Sequence, residues 1–236
     1  MFAFSTLLSF AFSAPVIVSG LVLKRSGCSV QGLKVPTLPT PLVAPSTAPS
    51  WVALAVGVQN YTCSSAGTYT NVGAVAELID ISCDVGSTGF STITDTAIRD
   101  WEQFPPSLTI QQFISSLHGD TTPPIIGQHY YVANPITGTG INPKWDFTSE
   151  GANAGKKTAF AVCAKVNGAP APTGSKDIDW VQLGVLTGAP ALTGELAKQV
   201  YRTDTRLGQP PTSCTPGSRD ITVKYAAKYY GFGGSV

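Results

Sequence analysis

The chain has 236 residues, of which only 12% are charged, with 15 basic and 14 acidic side chains. No basic stripe stands out, which excludes nucleic acid as an expected partner. The length suits one domain and is ample for a real core.

Residues 2–22 are almost wholly apolar or small, with Pro15 inside the run and Val18, Ser19 and Gly20 near its end. The reading is a signal peptide over 1–20, although a basic n-region is missing; the alternative is an uncleaved N-terminal anchor. Lys24-Arg25 follows at once and looks like the site of a kexin-type processing protease. A short propeptide, 21–25, would then leave a mature N-terminus at Ser26. Such processing belongs to eukaryotic secretion and points to a fungus. No membrane association is expected once the signal is removed.

Residues 26–50 form a Pro-rich arm. Its stretch KVPTLPTPLVAPSTAPS should run extended, without helix or hairpin. Residues 51–236 are one β-rich domain. Trp51 to Tyr61 is a long apolar, β-branched run. Gly73 to Ile81 alternates in part and fits a strand or a short helix. Asp95 is placed to cap TAIRDWEQF, which Pro105-Pro106 ends, and Ser107 to cap LTIQQFISSL; these are two short helices inserted between strands. Gly127 to Ala133 is an aromatic strand. Thr158 to Val166 alternates with a period of two. Ile178 to Leu186, Gln199 to Thr205 and Ile221 to Phe232 are further strands, and Glu195 to Val200 fits a helical turn. Loops are expected at 134–143, 167–174 and 207–216. Short strands with turn signals between them predict a mainly β protein, an antiparallel β-sandwich or barrel-like single domain.

The chemistry-bearing residues are few. Nucleophilic hydrolysis needs a Ser or Cys with a His base, yet only His118 and His129 are present, and no G-x-S-x-G elbow. His118 falls at a helix end, where a cation meets the negative end of the dipole. His129 lies in the aromatic strand beside Tyr130 and is the candidate base. Asp146 and Asp179 stand next to Trp145 and Trp180, the pattern of a sugar platform and equally of strand-end capping. Arg202 sits in a strand of a poorly charged protein, so a carboxylate partner is expected, with Glu77, Asp80 and Asp204 as candidates; a ligand-anion site is the sharper alternative. Asn60-Tyr61-Thr62 is an N-glycosylation sequon. No metal-ligand spacing occurs among the five cysteines, Cys28, Cys63, Cys83, Cys163 and Cys214, so two disulfides and one odd thiol are the simplest arrangement in an oxidising compartment.

Seven segments in order are more specific: GVQNYTC (57–63), GAVAELID (73–80), GQHYYV (127–132), PKWDF (143–147), IDWVQL (178–183), VYRTDTRLGQPPTSC (200–214) and VKYAAKYYGFG (223–233). Together they resemble a secreted family of unknown function found in fungi and bacteria, whose fungal members often carry the label malate dehydrogenase. The resemblance covers about residues 36–233 and implies a β-sandwich-like secreted domain with no established activity. The chain departs from it at Arg206-Leu207-Gly208, where a Gly-Gly pair is expected. The dehydrogenase label finds no support in the residues. Gly138-Thr139-Gly140 is the nearest approach to a dinucleotide turn, and Ile-Asn-Pro-Lys after it cannot open the required helix. No cofactor is expected.

Cys63 and Cys214 both lie within the resembling segments, one ending the first core strand and one preceding the last, so a Cys63–Cys214 bridge is expected. Cys63–Cys83 is the local alternative, and Cys163 either pairs with Cys83 or stays a buried thiol. The functional expectation is a secreted, non-enzymatic binding or interaction protein, such as a fungal extracellular effector engaging a host protein, for example a protease. Its partners would be an extracellular protein or a glycan. The alternative is an extracellular hydrolase or carbohydrate-active enzyme using His129 with Asp146 or Asp179, with Tyr130, Trp145, Trp180 and Arg202 as binding residues.

Overall fold

The structure is a computed structural model and describes residues 27–117 and 124–236. The signal segment, Lys24-Arg25 and His118 lie outside the described residues. Eight strands run β1 (Pro49–Cys63), β2 (Tyr69–Asp80), β3 (Ile125–Ala133), β4 (Ile141–Asp146), β5 (Phe160–Ala169), β6 (Trp180–Val185), β7 (Gln199–Leu207) and β8 (Ile221–Phe232). Each pairs antiparallel with the next, and β8 pairs back onto β1, so the sheet closes into a barrel. Of the two architectures expected, the barrel forms and the sandwich does not. Closure removes both sheet edges, and eight strands enclose a space that side chains fill or one small ligand occupies.

The long apolar run of β1 is explained by burial on both faces. Ala53 and Ala55 point into the barrel with Ala74, Ala76 and Leu78 of β2. Val52, Leu54, Val56 and Val58 point outward and are equally buried. Their cover is α1 (Ile93–Gln103) and α2 (Ile110–Leu117), which pack on the outer wall of the barrel rather than over one end. Trp101 is the anchor of α1: it is 2% exposed, lies 4.5 Å from the Phe113 ring and donates its Nε1–H to Gly57 O at 2.9 Å. Removing such an indole from a packed site costs about 3–5 kcal/mol. Gly57 has no substitute here, because a Cβ would stand 2.1 Å from Val75 O. Lys224 Nζ donates to the carbonyls of Trp101 and Phe104, a cation at the negative end of α1.

Caps and turns differ in detail from the sequence reading. Asp95 lies within the first turn of α1, which starts after Thr92, and its carboxylate pairs with Arg206 of β7. Thr109, not Ser107, caps α2 through a reciprocal box in which Gln112 N donates to Thr109 Oγ1 and Thr109 N to Gln112 Oε1. Residues 195–198 form no helical turn; their backbone bonds go to β5 and β8 instead, with Leu196 N donating to Phe160 O and Lys198 N to Phe232 O. The stretch 141–143, expected as loop, belongs to β4, where Pro143 pairs with Tyr131. The start of the expected loop 167–174 likewise extends β5.

The N-terminal arm is part of the body. Leu33 and Leu42 are buried. Val43 N donates to Gln182 Oε1, and Tyr201 Oη donates to Val43 O. A Cys28–Cys83 disulfide fixes the arm's start. The second bridge, Cys63–Cys214, spans 151 residues and ties the β1–β2 hairpin to the β7–β8 connection. Cys83 therefore does not pair with Cys163, which faces the barrel interior on β5, fully buried, while Cys83 lies on the outside beyond β2.

Candidate functional site: a polar cavity at one end of the barrel

The barrel interior is filled unevenly. At one end Trp51 and Phe147 meet edge to face, and Trp51 Nε1 donates to Leu196 O. The other end, bearing the Cys63–Tyr69 hairpin and the 208–220 connection, is hollow. A cavity of about 520 Å³ there is lined by Tyr61, His129, Tyr131, Trp145, Arg202 and Tyr229, among others. Strand alternation explains the set. His129 and Tyr131 on β3, Trp145 on β4, Arg202 on β7 and Tyr229 on β8 all point inward, whereas the residues between them point out.

His129 is 1% exposed, and its ring lies nearly parallel to Trp145, with centroids 4.5 Å apart. Nδ1 is 2.9 Å from Lys144 O. A carbonyl only accepts, so Nδ1 carries the proton and Nε2 is an acceptor. Burial drives the imidazole pKa down to about 3, so the ring is neutral.

Arg202 departs from the expectation of a carboxylate partner. Its Nε and Nη2 both donate to the backbone oxygen of Asp179, at 3.1 and 2.9 Å. Among the described residues no carboxylate lies within ion-pairing distance of it. The three candidates are elsewhere: Glu77 is on the outer face of β2, Asp80 holds the turn after β2, and Asp204 pairs with Lys228. Burial opposes the charge of Arg202, but the surrounding tyrosines, Tyr229 first, outweigh it and raise its pKa. Tyr131 is also shifted upward, chiefly by burial, so its phenol stays protonated.

Two further polar side chains, Gln59 and Asn142, which sequence reasoning missed, line the same cavity, and like the expected Trp145 they have polar atoms with no protein partner among the described residues. Their orientation is fixed. Asn71 Oδ1 accepts from Gly73 N, so its Nδ2 donates, and does so to Gln59 Oε1; the Gln59 Nε2 donor is left over. Asn142 Nδ2 donates to Cys163 O, leaving Oδ1. Trp145 leaves its Nε1–H. No sequence signal distinguishes Gln59 and Asn142; only closure of the barrel brings them together.

Of the residues expected to act together, His129, Trp145, Asp179 and Arg202 share the cavity. Asp146 does not, since it points out of the barrel. It accepts from Tyr130 Oη at 2.6 Å and pairs with Lys144 Nζ at 2.8 Å. Burial would raise its pKa, but Lys144, Thr148 and Tyr130 prevail and hold it at about 2. Trp180 also points out and packs with Leu42 of the arm. Asn60 sits near the C-terminal end of β1, half-buried and paired to Gly73 and Thr222. Among the described residues no group of three or more His, Cys, Asp or Glu side chains is placed to hold a metal ion, and no helix is long and apolar enough to cross a membrane.

The class defined by this architecture is an up-and-down β-barrel, plugged at one end and hollow at the other. The chain belongs to the family described as a protein of unknown function, DUF3455, whose model matches residues 44–233. Comparison with curated proteins and with solved structures gave no match.

Proposed function

We propose that the chain is a secreted, non-enzymatic binding protein whose ligand is a small molecule entering the hollow end of the barrel. The observation that carries this reading is the cavity itself: about 520 Å³, aromatic-walled, with several convergent polar groups that the protein leaves without partners. Ligand sites are concave spaces of roughly 300–1,000 Å³ with a few placed polar groups. A buried polar atom left without a partner costs about 1–3 kcal/mol, which a ligand recovers on binding.

The enzyme reading has less support. A general base works best with a pKa near the operating pH, and His129 is held far below it. Of its two suggested partners, Asp179 lines the same cavity, but Asp146 lies on the other side of the barrel wall. Secretion is supported by the apolar N-terminal segment, Lys24-Arg25 and the two disulfides. A mature N-terminus at Ser26 is the expected result of N-terminal sequencing.

The test is a thermal-shift screen of the purified mature protein against small neutral and charged aromatic compounds. A ligand at a hundred times its Kd stabilises by about 2.7 kcal/mol. The Val181→Trp variant, which fills the cavity from β6, should lose that response. The reading fails if no compound stabilises the protein, or if the Val181→Trp variant responds equally.

A further inference from the structure

We infer that the cavity is selective for small aromatic acids, with the carboxylate held by the Arg202 guanidinium and the ring between the aromatic walls. This rests on the binding reading above and names its ligand class.

The argument begins with charge. A guanidinium has five N–H donors, and the Asp179 carbonyl engages only Nε and one N–H of Nη2. The two contacts fix the plane of the group from behind, at the β6–β7 corner. The remaining edge faces the cavity, where the Tyr229 hydroxyl stands beside it. Strand interiors rarely hold an arginine without a carboxylate, because a desolvated cation needs compensation. Here the compensation comes only from phenol oxygens and a carbonyl, which are dipoles. An anionic ligand supplies the missing charge, and the planar fork matches a carboxylate with two parallel bonds.

The other leftover groups point the same way. Gln59 Nε2 and Trp145 Nε1 are both donors, and both residues are more than nine-tenths buried. With Arg202 they make the cavity richer in donors than in acceptors, which favours a ligand that accepts. The acceptors that remain, Asn142 Oδ1 and His129 Nε2, suit a single hydroxyl on the ligand. The cavity's own carboxylate, Asp179, stands near Tyr61, whose pKa is raised mainly by burial. Lys165 offsets its charge among the lining residues, so Arg202 sets the net sign. The ring preference follows from the walls. Trp145, His129, Tyr131 and Tyr229 present faces and edges to one another at 4.5 to 5.6 Å, the spacing at which a further ring stacks.

The experiment compares two probes that differ only in charge, 4-hydroxycinnamate and 4-hydroxycinnamamide, by calorimetric titration of the mature protein at pH 7. The acid is expected to bind roughly tenfold to a hundredfold more tightly than the amide. Arg202→Gln should abolish that preference and leave the weaker amide binding in place. Arg202→Lys, which keeps the charge without the fork, should retain part of it. The acid–amide comparison on the unaltered protein decides the matter even where Arg202→Gln does not fold. Equal binding of the two probes overturns the inference and leaves the binding reading standing. Binding of neither probe overturns the inference also, and the screen with Val181→Trp then judges the binding reading on its own.

Discussion

The imidazole of His129 lies against the indole of Trp145 with centroids 4.5 Å apart and planes 15° apart, inside a barrel where neither ring meets bulk water. The stack holds a neutral ring, and charging it would place a cation among aromatic side chains. The folded-state pKa, about 3, lies below the ordinary 6.5, so the unfolded chain binds the proton more readily. Stability from this residue is therefore complete above pH 6.5 and is lost as pH falls toward 3, by about 4 kcal/mol. Urea unfolding of the protein and of His129→Phe at pH 7 and pH 4 checks this. The stability of the parent should fall relative to the variant between the two.

Glu77 behaves in the opposite sense. It is fully buried on the outer face of β2, and burial together with the nearby Glu150 raises its pKa from 4.5 to about 8. Its favourable contribution is complete below pH 4.5 and is lost as pH rises through 8. Glu77→Gln removes the titrating group. The stability difference, variant minus parent, should grow by about 4 kcal/mol from pH 4.5 to 8.5 in urea titrations. A constant difference would mean that Glu77 ionises normally.

Asp177 controls the turn at Leu207 and Gly208 that ends β7. Leu207 has φ 55° and Gly208 φ 91°, and a left-handed residue with a Cβ costs roughly 1–2 kcal/mol. Asp177 Oδ1 accepts from Leu207 N at 2.6 Å, while Oδ2 accepts from Thr173 Oγ1. Asp177→Ala should destabilise by about 2–4 kcal/mol, and Asp177→Asn, which keeps the acceptor for Leu207, by less than half as much. Thermal unfolding of the two variants is the measurement.

The disulfides differ in consequence although both close long loops, of 55 and 151 residues. Loop-closure entropy gives about 4 and 5 kcal/mol respectively as upper values. Loss of Cys63–Cys214 also frees the rim of the cavity, because Cys214 N donates to Gly67 O in the β1–β2 turn. The Cys63→Ser, Cys214→Ser double variant should lose both stability and ligand binding. The Cys28→Ser, Cys83→Ser variant should lose stability alone. In the parent, Cys163 should react with alkylating reagents only after unfolding, since it is wholly buried and burial raises its thiol pKa.

Local residue order was enough to determine most of the strands, because β-branched and aromatic runs bounded by Gly and Pro have few alternatives in water. The same local signals located both helices, by way of Pro105-Pro106 and the apolar spacing of LTIQQFISSL. They failed where a tertiary partner decided. Pro143 enters a strand because β3 lies beside it. Residues 195–198 stay unwound because β5 and β8 take their hydrogen bonds. The sequence singled out Arg202, His129 and Asp146 as chemistry-bearing residues, but it carries no record of which of them share an interior. That depends on strand register and on closure of β8 onto β1. Closure put His129 and Arg202 in one cavity with Gln59 and Asn142, and it put Asp146 outside, one residue away from Trp145 and on the opposite face of the wall. Side chains alternate across a strand, so a single step along the chain separates a cavity residue from a surface ion pair.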